Sequence, residues 1–138
     1  MKYRYLDHTS DLGLEIVGRD LPELFRNASF ALFDNILNLD AVEPVETRTI
    51  ELSGETTEEL FLNWLRELLF GFATSYFAVQ DVPVLTIAGN QLKAEVRGEV
   101  FDPARHRIKI EIKTPTYHMF SVTGDDTAGY KATVILDV

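Results

Sequence analysis

Two segments of this chain carry a helical repeat of apolar residues, and both begin with a helix-capping pattern. In the first, Asp20 precedes a proline tolerated in the first turn, Glu23 follows three residues later, and apolar residues then recur at helical spacing. The second begins at Thr56 with Glu59 three residues on, and its apolar stripe, which includes Trp64, is the wider of the two. The fold must therefore be built around two helices, of which the second is the more buried.

Most of the remaining sequence alternates between apolar and polar residues, which is typical of β-strands with one face in the core. Gly89-Asn90 and Gly124–Asp126 are placed as tight turns between such runs. Two helices covering one face of a largely antiparallel sheet give an α+β class, and 138 residues without repeat or linker predict a single domain, 1–138. The strand-like runs are residues 12–17, 45–52, 84–88, 91–100, 108–112, 117–123 and 130–137.

Charge and cysteine content exclude several classes of function. The chain has 13 basic and 22 acidic side chains, a net charge of −9 at neutral pH, which argues against tight nucleic-acid binding and against an anionic membrane surface. It contains no cysteine, which excludes disulfides, thiolate zinc sites and thiol catalysis. Neither a signal-peptide pattern nor a membrane-spanning apolar run occurs, so we expect a cytoplasmic protein.

The densest group of functional side chains is Asp7-His8-Thr9-Ser10-Asp11, just before a predicted strand. Carboxylates, hydroxyls and backbone carbonyls are hard oxygen ligands suited to calcium, magnesium or manganese. An ordinary Asx-turn or ST-turn between two strands explains the same residues without any function, and these residues alone favour that explanation.

A second group lies at the last strand, which ends at Asp137-Val138 and brings an aspartate and an α-carboxylate together. Two adjacent anionic groups can form half of a cation site. The alternative is an edge strand whose aspartate discourages pairing with another chain.

The third group is Lys113-Thr114-Pro115-Thr116-Tyr117-His118, in which Lys113 can contact an anion and His118 can act as a ligand or a general base. A solvated lysine and a packed, hydrogen-bonded histidine are the simpler interpretations. His106 is expected to be an exposed loop residue, and no catalytic triad, paired-carboxylate glycosidase pattern or metalloprotease motif is present.

Taken in order, these groups resemble the archease family across the whole chain. The segment from Asp7 to Gly13 is close to that family's His-Thr-Ala-Asp-hydrophobic-Gly signature, with Ser10 in place of the usual alanine. Residues 21–33 look like its first helix, and the strand ending at Asp137-Val138 looks like its C-terminal end. Two further segments resemble family motifs: Phe101-Asp102-Pro103-Ala104-Arg105-His106, and the third group above, in which Thr114-Pro115 replaces a small-hydrophobic pair.

The resemblance implies an enzyme activator that is not itself an enzyme. Archeases stimulate RtcB-type RNA ligases in tRNA splicing and RNA repair by promoting guanylylation of the ligase, and they can widen its nucleotide specificity. GTP would then be bound only by the ligase. The resemblance also implies a divalent-cation site, for calcium or else magnesium or manganese, formed by Asp11, Asp137 and the Val138 carboxylate, with Lys113, His8 and His118 as activation or partner contacts.

Convergence of these carboxylates requires the first loop and the last strand to lie side by side, with the last strand inside its sheet. Two other functions remain open. One is a metal-dependent phosphoesterase that uses the first aspartate cluster with His8 as base. The other is a chaperone or adaptor for RNA-processing proteins.

Overall fold

The computed structural model describes residues 1–7 and 11–138 and has seven strands and two α-helices. In chain order the elements are β1 (Tyr3–Leu6), β2 (Leu12–Gly18), α1 (Leu21–Ile36), a short 3-10 turn (Leu39–Ala41), β3 (Glu46–Ser53), α2 (Thr57–Ser75), β4 (Phe77–Ala88), β5 (Gln91–Val100), β6 (Thr114–Asp125) and β7 (Gly129–Asp137). The α+β prediction is confirmed.

Both helices start where their caps predict. The Asp20 carboxylate accepts a hydrogen bond from the Glu23 amide at 2.8 Å, and the Thr56 hydroxyl accepts one from the Glu59 amide at 3.1 Å. These bonds satisfy N–H groups that the first turn of a helix leaves without a partner. Helix α2 ends at Tyr76, whose left-handed backbone lets its N–H reach the last carbonyls of the helix.

The strands form two antiparallel sheets instead of the single sheet expected from the alternating pattern. One sheet has the order β1-β2-β7-β6 and the other has the order β3-β5-β4. Helix α1 contacts β2 and β4, and α2 contacts β6 as well as β3, β4 and β5, so each helix packs against both sheets. Alternation shows that a strand has one buried face, but it does not show which strands pair with each other.

One hydrophobic cluster joins the helices to the two sheets and includes residues from β2, β4, β5 and β7. Trp64 lies fully buried within it, as the stripe of α2 predicts, and its indole N–H donates to the Phe25 carbonyl at 2.8 Å. Because a buried indole N–H needs an acceptor, this bond also fixes α2 against α1. No helix in the described part of the chain is long and apolar enough to cross a membrane.

Residues 108–112 were predicted as a strand, and that prediction is wrong. The chain between β5 and β6 crosses from one sheet to the other without forming a strand. Around Ile108 it makes an isolated bridge to Leu37 and a 2.7 Å bond from the Lys109 amide to the Ile36 carbonyl. Its isoleucines alternate because Ile110 and Ile112 pack on the core. Burial of every second residue gives the same pattern as a strand, even where the backbone has little to pair with.

Strand β1 is absent from the strands predicted from the sequence, because a run of four residues carries little periodic signal. Two tyrosines hold it against α1: the Tyr3 hydroxyl donates to Asp34 at 2.5 Å and the Tyr5 hydroxyl donates to Asn35 at 2.8 Å. Antiparallel pairing with β2 makes β1 an outer strand of its sheet.

Candidate functional site

The predicted site residues of β2, β7 and β6 meet at one end of the four-stranded sheet. Leu12 pairs with Leu136, so continuing this register by one residue sets Asp11 opposite Asp137. On the other side of β7, Asp137 pairs with Thr114. Strand β7 therefore lies between β2 and β6, and the expectation that the last strand is internal is confirmed.

With the register continued by one residue beyond β2, Asp11 and Asp137 would share a face of this sheet, the face turned away from the helices. Opposite residues of an antiparallel pair share a face, and residues two apart on a strand share it as well. Leu14 and Val134 are fully buried in the core, which places the odd-numbered residues of both strands on the other face. Side chains directly opposite each other have Cβ atoms about 4.5–5.5 Å apart, so the two carboxylates can reach a common ion.

Lys113 stands at the same end, one residue before β6. Its amide donates to the Asp137 carbonyl at 2.8 Å, which extends the ladder between β6 and β7 by one residue. Its side chain is exposed to solvent. The structure thus brings Lys113, Asp137 and Asp11 to the ends of three neighbouring strands, although Asp11 is more than a hundred residues from the other two in sequence.

The donor set fits a hard divalent cation, because two carboxylates and the Val138 α-carboxylate offer only oxygen ligands. Within residues 1–7 and 11–138, no group of three or more His, Cys, Asp or Glu side chains is arranged to hold a metal ion. The cation site that the family resemblance implies would comprise Asp11, Asp137 and the terminal carboxylate. Calcium accepts such mixed and irregular oxygen sets more readily than magnesium, which requires near-octahedral geometry.

Two histidines, His8 and His118, were proposed as partner contacts. His8 lies outside the described residues. His118 is exposed on β6, in a short stretch between Thr116 and Ser121 where the register with β7 shifts.

His106 was expected to be an exposed loop residue, but it is 3% exposed. Its Nδ1 accepts a hydrogen bond from the Asp102 amide at 2.9 Å, so the ring proton belongs on Nε2. That nitrogen lies 3.1 Å from the Ala41 carbonyl and 3.3 Å from Glu99. His106 thus joins the crossover between β5 and β6 to the short turn after α1, and the sequence offered no periodic signal for it.

Glu99 is the centre of this buried network. Its carboxylate accepts a 2.6 Å hydrogen bond from the Glu43 amide and forms an ion pair with Arg105, in addition to its contact with His106. The Arg105 guanidinium, and after it the bond from the Glu43 amide, lower the pKa of Glu99 to about 2, although burial acts in the opposite direction. This network stabilises the fold. It includes neither Asp11 nor Asp137 and is not part of the candidate site.

Comparison with known proteins identifies the relatives of the chain. The model of the Archease protein family (MTH1598/TM1083) matches residues 3–138. "Protein archease" of Archaeoglobus fulgidus is 38% identical over 100% of both chains, and that of Pyrococcus abyssi is 34% identical over 99% of both. The solution structure of Methanobacterium thermoautotrophicum protein 1598 covers 99% of both chains at 32% identity with a TM-score of 0.83. The crystal structure of an archease, described as a possible chaperone, from Thermotoga maritima has a TM-score of 0.66 at 23% identity and shows the fold alone.

Proposed function

The chain belongs to the archease family, and from this premise we propose that it activates an RtcB-type RNA ligase in tRNA splicing and RNA repair. In this role it promotes guanylylation of the ligase and repeated turnover, and it widens the range of nucleotides that the ligase accepts. The protein has no catalytic residue of its own, GTP is bound by the ligase, and the activity is cytoplasmic.

The pairing of β2, β7 and β6 supports this proposal, because it brings Asp137 beside the Lys113 amide and beside the strand that Asp11 directly precedes. The strand ends expose charged groups of both signs on a rigid support, because β7 is hydrogen-bonded on both sides. A site built on strands holds its side chains more tightly than one built on a long loop. Such a tip can enter the active-site cleft of a larger enzyme without remodelling its own backbone.

A divalent cation at this tip balances charges that otherwise repel. Two aspartates and an α-carboxylate supply three negative groups, and a divalent cation such as calcium would remove most of that repulsion. When bound, the cation would supply Lewis acidity for the guanylylation reaction. Asp11, Asp137 and the Val138 carboxylate would hold the ion, because the pairing of β2 with β7 keeps their strand ends together.

Lys113 acts on a different part of the reaction. Its ammonium group is a compact positive charge on a flexible stem, which suits it to neutralising phosphate charge on a nucleotide held by the ligase. Because its amide is hydrogen-bonded to Asp137, the stem starts beside the cation site.

Multiple-turnover ligation with the cognate ligase and GTP tests the proposal. We expect Asp11→Asn, Asp137→Asn and Lys113→Ala each to reduce stimulation at least about tenfold. The first two remove carboxylates that hold the cation, and the third removes the charge that neutralises phosphate. Glu95→Gln and Lys93→Ala, on the three-stranded sheet, remove the same charges elsewhere and should stimulate like the wild type. Equal stimulation by all five variants contradicts the site assignment.

Cation binding is tested separately, by thermal unfolding without the ligase. We expect millimolar calcium to raise the Tm of the wild type, because a ligand that binds only the folded state stabilises it by RT ln(1 + [L]/Kd). The rise should disappear in Asp137→Asn and persist in Glu95→Gln. A rise that is the same in both variants would show that calcium binds somewhere else. Hydrolysis of phosphoester substrates by the protein alone, lost in Asp11→Asn, would instead identify it as a phosphoesterase.

A further inference from the structure

Strand β6 contains a bulge close to the site. Between the pairs Thr116–Ile135 and Ser121–Thr133, β6 advances five positions while β7 advances two, so β6 has three extra residues. Tyr117, His118 and Met119 lie in this stretch, and we call these three residues the β6 bulge. Bulges turn side chains away from the regular ladder, and here the side chains belong to the outermost strand of the sheet.

The backbone of the bulge is strained at Met119, which has a φ of 55°. A residue with a side chain rarely adopts this left-handed conformation, because Cβ then crowds the following carbonyl oxygen. In the described part of the chain one other non-glycine residue has a positive φ, Tyr76 at 58°. Tyr76 has a structural reason, since it caps α2 through its N–H, whereas Met119 caps no helix.

The bulge also exposes large side chains that the fold leaves outside the core. Tyr117 is 72% exposed and Met119 is 63% exposed. The tyrosine ring is oriented from α2: the Arg66 guanidinium carbon lies 5.5 Å from the ring centre, and its Nη2 donates to the tyrosine hydroxyl at 3.2 Å. Strain combined with exposure gives the isolated protein no evident gain in stability.

We propose that the β6 bulge, with Arg66 beside it, is the surface that docks onto the partner enzyme. This inference rests on the proposed function and names the contact that the activator makes with the ligase protein. Tyrosine, methionine and arginine are the residues enriched at the centres of protein interfaces, where a rigid aromatic ring enters a pocket on the partner. The complementary surface is an apolar pocket with a carboxylate or carbonyl at its rim to receive Arg66.

The position of the bulge supports this partner in particular. Lys113 and Tyr117 are four residues apart on one extended chain, a separation of about 13 Å at the rise of a strand. A partner that covers a standard interface of about 800 Å² per side and contacts Lys113 therefore also reaches the β6 bulge. Backbone strain that persists away from a cap or turn is a feature of binding and catalytic sites.

Binding of the full-length protein to the cognate ligase, measured as Kd, tests the inference. We expect Met119→Gly and Tyr117→Ala each to weaken binding about tenfold, the usual loss at an interface hot spot. Met119→Gly is the sharper test, because glycine adopts the left-handed backbone freely and the variant should have a Tm equal to or above that of the wild type. Tyr76→Gly, which removes an exposed side chain at the same backbone conformation, is the matched control and should bind normally.

The outcomes separate this inference from the proposed function. If the wild type binds and stimulates the ligase while Met119→Gly and Tyr117→Ala bind with unchanged Kd, the docking surface is wrong and the proposed function stands. If the wild type neither binds nor stimulates the ligase, both are overturned. Glu95→Gln, which lies on the three-stranded sheet and in neither surface, should bind the ligase within about twofold of the wild type.

Discussion

Gly98→Ala should lower the free energy of unfolding by at least about 3 kcal/mol, which is a large effect for the addition of one methyl group. A Cβ at this position would lie 1.8 Å from the Ala78 carbonyl oxygen and 2.8 Å from its carbonyl carbon. Both are backbone atoms of the neighbouring strand β4, so no side-chain rotation relieves the overlap. The strands must separate next to the register shift that follows Val79.

Gly71→Ala provides the control for that prediction. Gly71 lies within α2, and a Cβ there meets nothing within 4 Å. Alanine favours a helix over glycine by about 1 kcal/mol, so this variant should be more stable than the wild type. Urea unfolding followed by circular dichroism measures both changes. A loss below about 1 kcal/mol in Gly98→Ala would show that β4 and β5 separate easily at this point.

The helices could be predicted from sequence because their signals are local. Asp20 and Thr56 occupy their cap positions and bond to the expected amides. Hydrophobic alternation likewise located most of the strands. The division into two sheets could not be predicted, since it depends on which strands pair across long separations, and alternation carries no information about the partner.

The candidate site could be predicted in part for a different reason. A strand that ends on Asp137 has a fixed geometry, so placing β7 beside β2 is enough to bring Asp137 opposite Asp11. The proposal that those residues form a cation site rests on the family resemblance and not on their spacing. The burial of His106 and the β6 bulge carried no periodic signal, and the alternation of residues 108–112 carried a misleading one. All three features arise from tertiary contacts.

Because of Glu99, the stability of the fold should change with pH in the acid range. Its folded pKa of about 2 lies below the ordinary value of 4.5, so the folded state binds this proton more weakly than the unfolded chain does. The stabilisation is therefore present above about pH 5 and is lost as the pH falls from about 4.5 toward 2. One pKa unit corresponds to about 1.4 kcal/mol. Because solvent screens the half-exposed Arg105 side chain, we expect the ionised Glu99 to contribute about 2 kcal/mol to the free energy of unfolding.

Glu99→Gln should remove this dependence. The amide keeps an acceptor for the Glu43 N–H but loses the charge that pairs with Arg105. We expect the variant to be about 2 kcal/mol less stable than the wild type at pH 7, with the difference shrinking steadily between pH 5 and pH 2. Unfolding free energies measured by urea titration across this range provide the test, with Glu95→Gln as the exposed control. A difference that stays constant with pH would show that hydrogen-bond geometry, and not the charge of Glu99, stabilises the network.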